Sequence, residues 1–80
     1  MSQRSNRREV RNPLLALPAM KKLMLWPPEY RADLVDLLTE LAVDCDRRAQ
    51  ASWRKSKAPM AAYWQAVKVY AKHLRSAVRP

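Results

Sequence analysis

Glycine does not occur in this 80-residue chain. Its absence removes the residue that takes positive φ without steric cost. With it go the tight hairpins of most all-β designs and the glycine-rich loops that cradle phosphates. Cysteine occurs once, as Cys45, so an internal disulfide is excluded and a reducing compartment is the simplest setting. Histidine also occurs once, as His73. One Cys and one His so far apart make no metal site by spacing. No uninterrupted apolar run approaches the roughly 18–20 residues of a spanning helix. Arg4, Arg7, Arg8 and Arg11 before Leu14 and Leu15 imitate the opening of a signal peptide. Pro13, Pro18, Lys21 and Lys22 cut that run short, so no leader and a cytoplasmic protein are expected. No acidic residue follows Asp46.

What is present points to helices. Eighty residues make one small domain with room for one modest core. A hydrophobic content of 49% places the chain outside the disordered class. Residues 1–11 are Arg-rich with almost no apolar anchor and read as a flexible arm; residues 12–80 read as a single helical domain. Asn12-Pro13 suits a helix start, because Asn caps and Pro fits the first helical position. Pro18 interrupts, so a turn over 13–17 and a short helix over about 18–26 are expected, with Met20, Leu23 and Met24 inward. Trp26-Pro27-Pro28-Glu29 is a corner and a second helix start.

The second helix, about 28–53, is the clearest element. Tyr30, Leu34, Leu37, Leu38, Leu41, Cys45 and Ala49 recur at steps of three and four, one face of an α-helix. Pro59 opens a third, about 59–78, with Met60, Trp64, Val67, Ala71, Leu74 and Val78 on its seam and Tyr63 and Tyr70 beside it. The fold class is therefore all-α: an antiparallel helical hairpin with a short N-terminal helix across it. Trp53 and Trp64 bracket the corner at Ser56-Lys57-Ala58. Aromatics at helical spacing are usually core, so they are expected to clamp the corner from inside; an exposed Trp53 would instead offer a stacking surface.

Charge is sorted along the chain. Residues 1–27 carry six basic residues and one acid, 28–46 carry Arg31 against six acids, and 47–80 carry nine basic residues and no acid. The net charge is +9 with a pI near 10.5, which favours an anionic partner. Glu29, Asp33, Asp36, Glu40 and Asp44 form one helical stripe; Lys68, Lys72, Arg75 and Arg79 form another. On a helical wheel each lies roughly 110–120° from the centre of its apolar face, on opposite rotational sides. Antiparallel pairing would then send them to opposite flanks, un-neutralised and open to different partners. A charge stripe is often just a solvated face, but such faces usually mix signs. Lys68, Lys72, Arg75 and Arg79, supported by Arg54, Lys55, Lys57 and the arm residues Arg4, Arg7 and Arg8, are the candidate binding residues.

Catalysis is not expected. His73 reads as a surface residue and Cys45 as an inert core thiol. The carboxylates of the second helix have no apolar pocket to raise a pKa. No metal, cofactor or small-molecule substrate is expected. A helix-turn-helix fits badly, because the helix before the corner is over twenty residues long.

Three stretches, "NPLLALP" at 12–18, "PPEYRADLVDLL" at 27–38 and "WRKSKAPMAAYWQAVKVYAKHL" at 53–74, together about half of the chain, resemble small, basic, helical proteins of bacterial prophages and gene-transfer elements. Proteins of that kind mostly lack an assigned activity, so the resemblance implies a phage-associated context and no particular site residues. The expected function is a non-enzymatic, sequence-tolerant accessory or regulatory protein binding DNA or RNA through backbone phosphates. The alternative is an interaction module docking on an acidic surface of a host or phage protein. A homodimer is expected through packing of hairpins, because one short helix leaves apolar surface uncovered.

Overall fold

A computed structural model describes residues 12–80. The expected arm, with Arg4, Arg7 and Arg8, lies outside the described residues. Asn12 leads into a 3-10 turn, Pro13–Ala16, followed by three helices: α1 (Pro18–Leu23), α2 (Pro28–Arg54) and α3 (Ala58–Val78). Among the described residues there is no strand, and α2 and α3 form the expected antiparallel hairpin. Each of these elements has a proline at its first or second position, where a missing N–H costs nothing. α1 is shorter than expected: Leu25 and Trp26 donate only to carbonyls three residues back, Lys22 and Leu23, so the chain tightens before Pro27 stops it.

The corner between α2 and α3 closes as a Schellman motif. The Lys57 amide donates to the Ser52 carbonyl at 2.8 Å and the Ser56 amide to the Trp53 carbonyl at 3.0 Å. That geometry needs a left-handed residue, and Ser56 supplies it at φ 58°. A chain without glycine has filled the usual glycine position with a serine.

Asn12 does not cap the turn it precedes. Its side chain is buried and Nδ2 donates to the His73 carbonyl at 2.8 Å, fastening the start of the domain to the C-terminal third of α3. His73 itself is half-buried, where a surface residue was expected. The 3-10 turn and α1 pack on α3. Met20 enters the main core with Leu38, Ala42, Ala71, Ala77 and Val78. Arg31 ties the open end together: Nε donates to the Trp26 carbonyl and Nη1 to the Arg79 carbonyl, each at 3.2 Å.

The buried face of α2 differs from the expected one. Leu38, Ala42, Cys45 and Ala49 are buried, whereas Tyr30, Leu37 and Leu41 are exposed. The face is rotated by roughly 50° on a helical wheel. Small residues explain this: Ala42, Cys45 and Ala49 on α2, with Ala61 and Ala71 on α3, let the two backbones approach closely, and the bulkier leucines turn outward. On α3, Ala71 and Val78 are buried and Trp64, Val67 and Leu74 half-buried, but Met60, Tyr63 and Tyr70 are exposed.

Candidate nucleic-acid interface

The rotation of α2 also relocates the charges. The acidic stripe of Glu29, Asp33, Asp36, Glu40 and Asp44 is exposed, and on the rotated wheel its centre moves toward the back of α2, with Glu40 and Asp44 still reaching the edge of one flank of the hairpin. The basic stripe of α3 sits at the shoulder of the helix interface instead of far from it. The expected separation onto opposite flanks therefore does not hold. Lys68 reaches across the interface, its Nζ 2.8 Å from Asp46 Oδ1. Glu40 and Asp44 border the same flank, beside Thr39, Val43 and Arg47.

Between the helices on this flank runs a groove of about 330 Å³, lined by Thr39, Val43, Asp46 and Arg47 of α2 and by Lys68, Lys72 and Arg75 of α3. Its register is fixed at two levels. Lys68 pairs with Asp46, and two turns away Arg75 Nη1 donates to Thr39 Oγ1 at 3.4 Å. Four cations thus line one groove with a single carboxylate among them. Asp46 is satisfied on both oxygens, by Lys68 on Oδ1 and by Gln50 Nε2 on Oδ2, each at 2.8 Å. The Lys68 hydrogen bond, with the charges of Lys68 and Lys72, holds the Asp46 carboxyl below its ordinary value of 3.8, against a weaker opposing effect of desolvation. Arg75 is half-buried, and its Nε is shielded from solvent with no hydrogen-bond partner among the described residues. A buried donor in that condition is costly.

Of the candidate residues, the groove brings together Lys68, Lys72 and Arg75. Arg79 is exposed at the end of α3, with its backbone carbonyl engaged by Arg31. Arg54, Lys55 and Lys57 are exposed around the corner at the far end of the hairpin. Arg47 joins the groove although its sequence position suggested only a favourable charge near the C-terminal end of a helix. Its spacing from Val43 and Thr39, four and eight residues back, was the signal that placed it on the same row.

The two corner tryptophans part company. Trp53 is 68% exposed, so it does not clamp the core. Trp64 is half-buried, edge-on to Tyr63 at 5.0 Å, with the Arg48 guanidinium 5.3 Å from its ring centre. Cys45 is free and buried. Among the described residues no three His, Cys, Asp or Glu side chains group as metal ligands, and no helix is long and apolar enough to cross a membrane. No protein-family model, no curated protein and no solved structure matches this chain.

Proposed function

We propose that this protein is a non-enzymatic, nucleic-acid-associated accessory or regulatory protein that holds backbone phosphates in the groove between α2 and α3. The observation that carries this reading is the gathering of Arg47, Lys68, Lys72 and the Arg75 guanidinium fork along one groove, with Asp46 the one carboxylate among its described lining residues. Phosphate oxygens are the acceptors such a fork and its neighbouring ammonium groups suit. Contacts of this kind position a strand without reading its sequence, so binding is sequence-tolerant. The reading needs no metal, cofactor or small-molecule substrate. It places the protein in the cytoplasm, and the likeness to prophage-encoded proteins supplies a phage-associated context.

The test is a mobility-shift titration at about 0.1 M salt, with Arg47 and Lys72 reversed to Glu as the control. Both side chains are exposed, so the reversals should leave the fold intact. With about three phosphate contacts, Lys68 being held by Asp46, a fourfold rise in salt lowers affinity by about one and a half orders of magnitude. The double reversal should abolish the shift. No shift with duplex, single strand or RNA at tens of micromolar protein would end the nucleic-acid reading.

A second reading rests on a different observation. Leu37 and Leu41 of α2, and Tyr63 and Tyr70 of α3, are exposed on the flank opposite the groove. Uncovered apolar surface of this kind suits a protein contact, with a second copy of the chain or with an acidic host or phage protein. A pull-down with and without nuclease separates the readings: a stoichiometric protein partner that survives nuclease selects this one.

A further inference from the structure

The cationic groove does not end at Lys68. Gln50, whose amide donates to Asp46, also lines a second recess of about 330 Å³ one turn nearer the corner. There Trp53 of α2 faces Ala61, Ala62 and Gln65 of α3. The two recesses are therefore contiguous along one flank. Their chemistry is opposite. The first holds four cations; the second holds no charge at all, only an alanine floor, one indole wall and two amides at its rim. The indole is mostly exposed, although a large aromatic on a helix of so small a protein would ordinarily be drawn into the core.

A site that passes from phosphate-binding beside Asp46 to a flat apolar slot at Trp53, seven residues or roughly 10 Å along the helix, matches the alternation of phosphate and base over one to two nucleotides of a single strand. It does not match a duplex, whose base faces are already stacked on one another. Resting on the reading above, we infer that the natural ligand is single-stranded nucleic acid, with phosphates in the cationic groove and one unpaired base stacked on Trp53 in the alanine-floored recess. The charge of the groove selects the strand and the indole accepts any base, because every base has a π-face. The Gln65 amide lies where a base edge would reach.

The experiment uses the full chain and three probes of equal length, about ten nucleotides: oligothymidylate, its abasic deoxyribose-phosphate counterpart, and a duplex. The oligothymidylate should bind about tenfold more tightly than the abasic strand and should quench tryptophan fluorescence. Trp53→Ala should remove that tenfold and most of the quench while leaving abasic affinity unchanged. Ala62→Leu, which narrows the recess from the opposite wall, should do the same with Trp53 in place. Both positions are exposed, so circular dichroism of the variants should match the parent. Equal affinity for the oligothymidylate and the abasic strand would overturn the stacking inference and leave the phosphate reading standing. A duplex bound as tightly as the single strand would overturn the strand preference. Binding of none of the three would overturn both readings, and capture of an acidic, leucine-bearing peptide instead would assign the recess to a protein side chain.

Discussion

Lys68 and Asp46 meet across the hairpin at 2.8 Å, and the contact sets the only carboxylate among the described residues lining the groove against its cations. It holds the two helices in register, and it withholds one lysine from any incoming anion.

Replacing Asp46 with Asn should therefore strengthen nucleic-acid binding. Lys68 becomes available, so the salt dependence should steepen by about 0.9 in the log–log slope, one further phosphate contact. Titrations at four or five salt concentrations measure it. An unchanged slope would mean that Lys68 faces no phosphate.

Acid should weaken the fold through the same residue. The Asp46 carboxyl is held below its ordinary 3.8 chiefly by the Lys68 hydrogen bond. A carboxylate with a depressed folded-state pKa contributes stability that is complete above its unfolded value and is lost as pH falls through the folded one. Thermal melts should show the parent losing more stability than Asp46→Asn below about pH 4, with the two parallel between pH 5 and 7. The difference should be small and should shrink in high salt, because the pair is partly open to solvent.

Adjacent leucines on α2 test the rotation of its buried face. Leu38 is 7% exposed and Leu37 59%. Leu38→Ala should cost about 2–5 kcal/mol of unfolding free energy. Leu37→Ala in dilute solution should change it by less than about 0.5 kcal/mol. Denaturant titration of the two proteins gives the comparison, and the reverse order would restore the face expected from periodicity.

Ser56 occupies a backbone position that glycine fills at no cost. Ser56→Gly should stabilise the protein by about 0.5–1 kcal/mol, raising the melting temperature by a few degrees. Ser56→Val should lower it, because a β-branched side chain is poorly tolerated at φ 58°.

The exposed apolar flank should make the protein a dimer at micromolar concentration, and sedimentation velocity reads this directly. Leu41→Glu should return it to a 9.3 kDa monomer without loss of helix content. A parent that sediments as a monomer would rule the dimer out.

Much of the architecture is legible in the sequence. Pro13, Pro18, Pro28 and Pro59 each open an element, because proline is tolerated only in the first turn. The long three-and-four repeat from Leu34 to Ala49 marked the second helix, and the three-residue corner compelled antiparallel pairing. The burial of Cys45 and Met20 followed from their places on apolar faces.

The binding flank was not legible in the same way. Periodicity measures the apolar arc of a helix, and the arc of α2 is wide enough to be buried in more than one rotation. Which part is covered depends on the other helix: the alanines of α3 meet Ala42, Cys45 and Ala49 closely, and that choice turns Leu37 and Leu41 outward. The same rotation carries Asp46 and Arg47 to Lys68 and Lys72, contacts between residues far apart in the chain that no local pattern encodes. Sequence alone determined the helices, their order and the excess of positive charge, because those depend on neighbours within a few turns. The tertiary structure decided which faces meet, and so where the cations gather and why Trp53 stands exposed, because close packing between helices is settled by the shapes of both partners at once.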